Sequence, residues 1–327
     1  MGISIWTTGS CNFSCKYCYE QDKVHKHMSK TTQEKILLWI KKAYVNKEIN
    51  IVNFHGGEPF LNFDCIKYMT KHILDISPNT RFSVTTNGSI WNKDIGNFFY
   101  QNRDKFDITI SIDGSQKYHD ANRITSDGIG TFSKVIENLK YIGSTNINLR
   151  CRMTVTPNNI EALHNNIEFI KSLGIKTIVA GFDQAGDWDS THIEIIENEF
   201  KHVIENYNPE ENIRVSIIDN IKTKKCLGKC RTTMHFYVDE NIYPCIVKVG
   251  KYDIGNLCDG INNQKIKEIE RISENDNPNC IGCSNINHCT GNRCKLINQE
   301  ITNEYYNPPP IVCALENINI KLAKVYL

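Results

Sequence analysis

Between Ile3 and Asn206 the chain alternates short apolar runs with amphipathic stretches, and this alternation limits the fold more than any other feature. The runs are Ile3 to Thr7, Ile51 to Phe54, Phe82 to Thr86, Ile108 to Ile112, Leu149 to Val155 and Thr177 to Ala180. The helical stretches begin with Thr31-Thr32-Gln33-Glu34, which reads as a capping box opening a helix to about Val45 with Ile36, Leu37, Ile40 and Ala43 on one face. Further helices are expected at Asp94 to Asn102, Phe132 to Ile142, Ile160 to Leu173 and Ile193 to Asn206. Such repetition implies a parallel sheet with right-handed crossovers. Six strand–helix units are too few to close an eight-stranded barrel, so the expected class is α/β, an open partial (β/α)6 barrel. Sites in such sheets gather at the carboxyl ends of the strands, where loops vary without disturbing the core.

Directly after the first run comes CNFSCKYCYE, in which Cys11, Cys15 and Cys18 are spaced C-x3-C-x2-C. One loop of this kind can offer three thiolates to one face of an iron–sulfur cube. With no fourth thiolate nearby, one iron is left open for chemistry, as an open position separates catalytic from structural zinc sites. A zinc loop, or three unrelated core cysteines, is the bland alternative.

Other polar residues fall at strand ends. Gly56-Gly57-Glu58-Pro59 follows the second run; its glycines allow close backbone approach, although a Gly-Gly pair also marks ordinary turns. Glu58 could accept from an ammonium. Thr85, Thr86 and Asn87-Gly88 end the third run, and Ser111-Ile112-Asp113-Gly114 the fourth. Their hydroxyl, amide and carboxylate groups suit a ribose and an amino-acid carboxylate. Arg123 adds a fixed cation, with a surface ion pair as its alternative. His55 and His119 read as local hydrogen-bonding groups without a catalytic role.

From about Ile221 the alternation stops and cysteines crowd: Cys226, Cys230, Cys245, Cys258, Cys280, Cys283, Cys289, Cys294 and Cys313. Met234 to Val238 and Ile242 to Cys245 flank Asp239-Glu240-Asn241 as a β-hairpin. The C-x2-C-x5-C-x4-C spacing from Cys280 to Cys294 is a ligand signal that suits iron or a zinc knuckle.

Taken together, the cysteine loop with Tyr17 before its last thiol, the Gly-Gly-Glu-Pro segment and the Ser-x-Asp-Gly…His-Asp-x-x-Arg pattern resemble the radical S-adenosylmethionine (SAM) superfamily. The resemblance implies a [4Fe–4S] cluster on Cys11, Cys15 and Cys18 whose open iron chelates SAM, and reductive cleavage to a hydrogen-abstracting radical. It implies SAM contacts from Tyr17, Gly56, Gly57, Glu58, Pro59, Thr86, Asn87, Ser111, Asp113 and Arg123. The second cysteine group resembles the SPASM extension of these enzymes, a small cysteine-rich C-terminal domain of hairpin, helix and loops that binds two auxiliary [4Fe–4S] clusters. On that pattern Cys226, Cys230, Cys245 and Cys294 ligate the first, and Cys280, Cys283, Cys289 and Cys313 the second. Glu240 stands where the family hairpin usually has glycine, and the Cys289 to Cys294 spacing is one residue longer than usual. Cys65, Cys151 and Cys258 fall outside the pattern and read as buried thiols. The expected division is residues 1–220 for the barrel and 221–327 for the auxiliary-cluster domain.

Composition narrows the partner. Lys and Arg total 38 against 37 Asp and Glu, which gives no nucleic-acid footprint. Neither a membrane span nor a signal peptide is present in the sequence, so a cytoplasmic location is expected. Fourteen cysteines in a long chain without export signals favour metal or cluster ligation over a disulfide framework.

The resemblance therefore implies an oxidoreductase acting on a peptide or protein. In sulfatase-maturing relatives an aspartate after the hairpin cysteine serves as base; here Ile246 occupies that position and cannot accept a proton. Intramolecular cross-linking of a ribosomally made peptide, through a thioether or carbon–carbon bond, is accordingly the first expectation. Sulfatase maturation to formylglycine or peptide epimerisation follows, and a non-catalytic zinc or cluster protein is the alternative of another class. No room is seen for an N-terminal leader-binding domain, so a separate leader-recognition protein is one expected partner. A reductase such as flavodoxin or ferredoxin is the other.

Overall fold

The computed structural model describes residues 2–20, 24–43, 49–222, 229–230 and 232–326. The early elements are β1 (Gly2–Thr8), α1 (Lys30–Ala43), β2 (Ile51–Gly56), α2 (Phe63–Ile76), β3 (Arg81–Thr86), α3 (Lys93–Gln101) and β4 (Phe106–Ser111). Then come α4 (Gln116–Asn122), α5 (Phe132–Gly143), β5 (Asn148–Val155), α6 (Leu163–Ser172), β6 (Thr177–Phe182), α7 (Ser190–Glu205), β7 (Arg214–Val215) and α8 (Ser216–Lys222). The cysteine-rich part holds β8 (Met234–Phe236), β9 (Asn241–Tyr243), β10 (Gly255–Asn256), β11 (Gly260–Ile261) and α9 (Asn263–Glu274). It ends with α10 (Thr290–Arg293), α11 (Lys295–Thr302) and α12 (Pro310–Tyr326).

Contacts divide the chain into two compact units. The first comprises Met1–Ser111, Asp120–Leu149 and Thr232–Ile266. Its strands β1, β2, β3 and β4 run parallel, and β8 adds itself in parallel to the free edge of β1. From β8 the sheet continues through antiparallel β9, β10 and β11. The expected hairpin is therefore present, and it extends the barrel sheet.

The two faces of these strands differ in chemistry. Ile3, Ile5, Val52, Phe54, Phe82, Val84, Ile108 and Ile110 are buried on the helix side. There the rings of Phe54, Phe82 and Phe106 stack in a row, and Phe99 of α3 meets Phe106 edge-on at 5.2 Å between centroids. The opposite face carries Ser4, Asn53, Ser83 and Asp107 side by side in register. One residue pair further along, Trp6 faces His55 and Thr85 faces Thr109. Parallel strands buried on both faces read as continuous apolar runs. This alternation instead marks one face for the core and leaves the other polar.

The second unit comprises Ile112–His119, Arg150–Arg231 and Lys267–Leu327. Parallel β5, β6 and β7 present Cys151, Met153, Val155 and Ile178 to its core. Leu163, Ile167 and Ile170 of α6, Phe200 of α7 and Leu322 of α12 are buried with them. Lys321 of α12 pairs with Glu197 of α7 at 2.8 Å.

Three local expectations change. The cap of α1 is Ser29, whose Oγ accepts from the Thr32 N–H at 3.1 Å, so the helix starts two residues before the expected box. Helix α2 was not legible because Pro59 and Asn62 interrupt its approach. The stretch at Ile160 begins as a 3₁₀ turn before α6.

Candidate functional site

The cysteine loop is built by backbone bonds. It leaves β1 at Thr8, buries Phe13, and is tied to the segment after α4 where the Ser14 N–H donates to Ile124 O and the Lys16 N–H to Asn122 O, at 2.7 and 3.0 Å. Cys11, Cys15 and Cys18 stay half-buried. Behind them, the Gly57 N–H donates to Thr8 O and the Glu58 N–H to Ser10 O, at 3.2 and 2.9 Å. A Cβ on Gly57 would stand 2.8 Å from the Cys11 Cβ, and Gly56 has φ 148°, so both glycines are required by this close approach. Sequence reasoning gave the pair to a ligand; the structure shows that it first seats the cysteine loop.

Glu58 is fully buried. Its carboxylate accepts from the Phe60 N–H at 3.0 Å, the Thr86 hydroxyl at 2.8 Å and the Asn87 N–H at 2.7 Å. Burial pushes its carboxyl up to about 7 against those three bonds. No cationic side chain among the described residues pairs with it, so a bound ammonium fits the remaining acceptor capacity. Asn87 in turn donates to Asn12 Oδ1 at 2.9 Å and lies 3.9 Å from Cys11 Sγ, while Asn12 donates to the Ser89 hydroxyl. Asn12 and Ser89 were missed from the sequence. Their only signal is the polar turn that follows Asn87.

Arg123 is buried, and its guanidinium lies 5.3 Å from the centre of the Tyr17 ring. This cation–π contact joins the arginine to the cysteine loop. Ser111, nearly buried, ends β4 in the same unit. Asp113 belongs to the second unit, is fully buried, and accepts from the Thr154 N–H at 2.9 Å. That bond gives Asp113 a structural task in joining its loop to β5. His55 does not bond its own turn: its ring stacks on Trp6 at 5.7 Å.

Within the second unit, burial raises the thiols of Cys289 and Cys313; Cys280 raises both further, and Cys283 adds to the effect on Cys313. Cys280 is thus close enough to act on both Cys289 and Cys313. Cys230 is raised by burial and bonded by Ser273. Among the described residues no group of three or more metal-binding side chains stands close enough to hold a single ion. Among the described residues, His288 Nδ1 and Arg293 Nε, next to Cys289 and Cys294, are buried and have no hydrogen-bond partner. Buried orphan donors of this kind suit the sulfides of a cluster, so this donor set fits one. Cys245 belongs to the first unit, and Cys226 lies outside the described residues. Cys65 and Cys151 are buried thiols as expected, but Cys258 is exposed, since it sits in the tight turn between β10 and β11.

The Radical SAM superfamily pattern matches residues 6–170, just over half of the chain, and the chain belongs to that superfamily. Its cofactors are accordingly SAM and a [4Fe–4S] cluster. A cysteine-type anaerobic sulfatase-maturating enzyme of Clostridium novyi is 29% identical over 179 residues, 50% of this chain and 46% of that protein. The chain thus spans under half of that relative. The radical SAM cyclopropyl synthase TigE of Paramaledivibacter caminithermalis is 24% identical over 322 residues, 88% of this chain and 66% of TigE. In structure, native anSMEcpe with bound AdoMet and Kp18Cys peptide superposes with TM-score 0.83 at 19% identity, covering 99% of this chain and 97% of that one. This likeness bears out the open parallel-sheet α/β fold. Among the described residues no helix is long and apolar enough to cross a membrane.

Proposed function

We propose that the protein is a maturase that oxidises one side chain of a peptide or protein, and that formylglycine formation of the sulfatase-maturing kind describes it better than the cross-linking expected from sequence. The observation that carries the reading is the polar strand face of Trp6, His55, Thr85 and Thr109, which continues into the segment holding Glu58 and the cysteine loop. A polar wall suits an extended peptide with hydrogen bonds to satisfy. The sulfatase-maturating relative of Clostridium novyi supports that substrate class.

In this reading Cys11, Cys15 and Cys18 hold the catalytic cluster, Glu58 takes the ammonium of SAM, and Ser111 and Arg123 take its carboxylate. When bound, cluster and SAM supply a carbon radical able to abstract hydrogen from an unactivated carbon. The chain's own residues then have to position the substrate. Cys280, Cys283, Cys289 and Cys313 hold an auxiliary cluster. A reductase of the flavodoxin or ferredoxin class delivers electrons.

Ile246, half-buried at the start of the 3₁₀ turn after Cys245, favours one second reading. Cross-linking needs no carboxylate base there, TigE is a ring-forming relative, and a separate leader-recognition protein would belong to that case. Mass spectrometry separates the two. The reconstituted protein is incubated with a synthetic sulfatase-derived peptide bearing cysteine at its target position. Replacement of CH2SH by CHO is expected; no change there, with loss of two hydrogens from a ribosomal peptide encoded nearby, would establish cross-linking instead.

A further inference from the structure

Given Ile246, some other group must meet the polar atom of the target side chain. His55 is in place for it. It is the last side chain of β2 before Gly56-Gly57-Glu58, and it pairs in register with Trp6 on the polar face. Its ring lies over the Trp6 ring at 26° between planes, and the residue is half-buried. Neither ring nitrogen has a hydrogen bond among the described residues.

The neighbouring histidine shows what a structural role here looks like. His235 of β8 is buried, its Nδ1 receives the Trp6 Nε1 proton at 3.4 Å, and its Nε2 lies 2.7 Å from the Thr233 hydroxyl. That hydroxyl donates onward to Pro244 O at 3.1 Å. Acceptance at Nδ1 places the His235 proton on Nε2, and both nitrogens are satisfied. Trp6 is thereby fixed by its single donor, and its face becomes a platform for the other imidazole. Burial pushes His55 down to about 4, so the ring is neutral at pH 7 and keeps one donor and one acceptor.

We propose that His55, stacked on Trp6, is the substrate-contacting group that hydrogen-bonds the thiol or hydroxyl of the residue being modified and so selects cysteine or serine at that position. The assignment rests on the maturase reading above and is tested apart from it by equilibrium binding. The probes are the synthetic sulfatase-derived peptide with cysteine at the target position and its alanine analogue, each titrated against the SAM-loaded full chain. Wild type is expected to bind the cysteine peptide about 2 to 13-fold more tightly, the net value of one hydrogen bond. His55→Phe keeps a ring on Trp6 but no hydrogen-bonding atom, and it should bring the two affinities together. His55→Gln restores donor and acceptor and should recover part of the difference. Equal affinities in wild type, or a difference that survives in His55→Phe, overturn the assignment. Turnover of the cysteine peptide, read separately by mass, bears on the maturase reading alone.

Discussion

The two cysteine regions are built in different ways. The loop of Cys11, Cys15 and Cys18 is held from both sides by main-chain bonds to Asn122, Ile124, Gly57 and Glu58, and Phe13 anchors it in the core. Around Cys280 to Cys313, by contrast, short turns replace the sheet, burial and then Cys280 raise the thiols of Cys289 and Cys313, and His288 Nδ1 and Arg293 Nε are buried with no partner among the described residues. A preformed cradle costs little when its cofactor leaves, whereas a region that lacks partners without its cofactor folds at the cofactor's expense.

The largest expected effect breaks the first region. Replacing Cys11, Cys15 and Cys18 together by alanine should lower 5'-deoxyadenosine formation at least about a thousandfold, the scale of losing an essential catalytic group. Iron at the C-terminal cysteines should remain, as an iron assay would show. The next experiment removes iron by chelation under anaerobic conditions. Amide hydrogen exchange should accelerate over residues 278–313 by about tenfold or more, while β1 to β4 stay protected. Equal acceleration in both would erase the contrast.

A smaller effect comes from Glu58. Its folded carboxyl, pushed up from 4.5 to about 7, holds a proton that the unfolded chain has released. Its contribution to stability is therefore fully present below about pH 4.5 and is lost as pH rises through 7. In Glu58→Gln the melting temperature of SAM-free protein should lose this fall between about pH 4.5 and 7, and SAM affinity should drop about tenfold or more as the charged partner goes. A slope unchanged in the variant would remove Glu58 from the account.

The smallest concerns the hairpin. Glu240 sits at φ 70°, where glycine is usual, and is held by Lys35 at 2.6 Å and by the Thr32 hydroxyl at 3.2 Å. Glu240→Gly relieves the left-handed backbone and loses an exposed ion pair, effects of similar size and opposite sign. Its melting temperature should match wild type within about 2 °C. Glu240→Ala keeps the strain and loses the pair, so it should melt lower than Glu240→Gly.

Much of the site was legible. The strand at Ile3 to Thr7, the cysteine spacing, and Glu58 and Arg123 at loop positions all carry local signals, because alternation and motif spacing depend on near neighbours in the chain. Asn12 and Ser89 were not, because the contacts of Asn12 with Asn87 and Ser89 bring together residues about 75 positions apart, for which no local pattern exists. Residue type alone reads Cys258 as buried, and the turn at Asn256 to Gly260 exposes it.

By itself the sequence determined that this chain forms a parallel α/β sheet and that its first loop presents three thiolates. Periodicity and spacing are properties of neighbouring residues, and they act before any long-range contact forms. Only the tertiary structure decided which polar side chains share the open face of that sheet. Register between β1 and β2 sets Trp6 beside His55, while the β8 hairpin, more than two hundred residues from β1, supplies the histidine that fixes the tryptophan. The same imidazole that reads as an ordinary turn residue in the sequence becomes a half-buried ring on an aromatic platform, with no hydrogen-bond partner for its nitrogens among the described residues. Pairing across strands decides that difference, and strand pairing is set by the packed core on the other face.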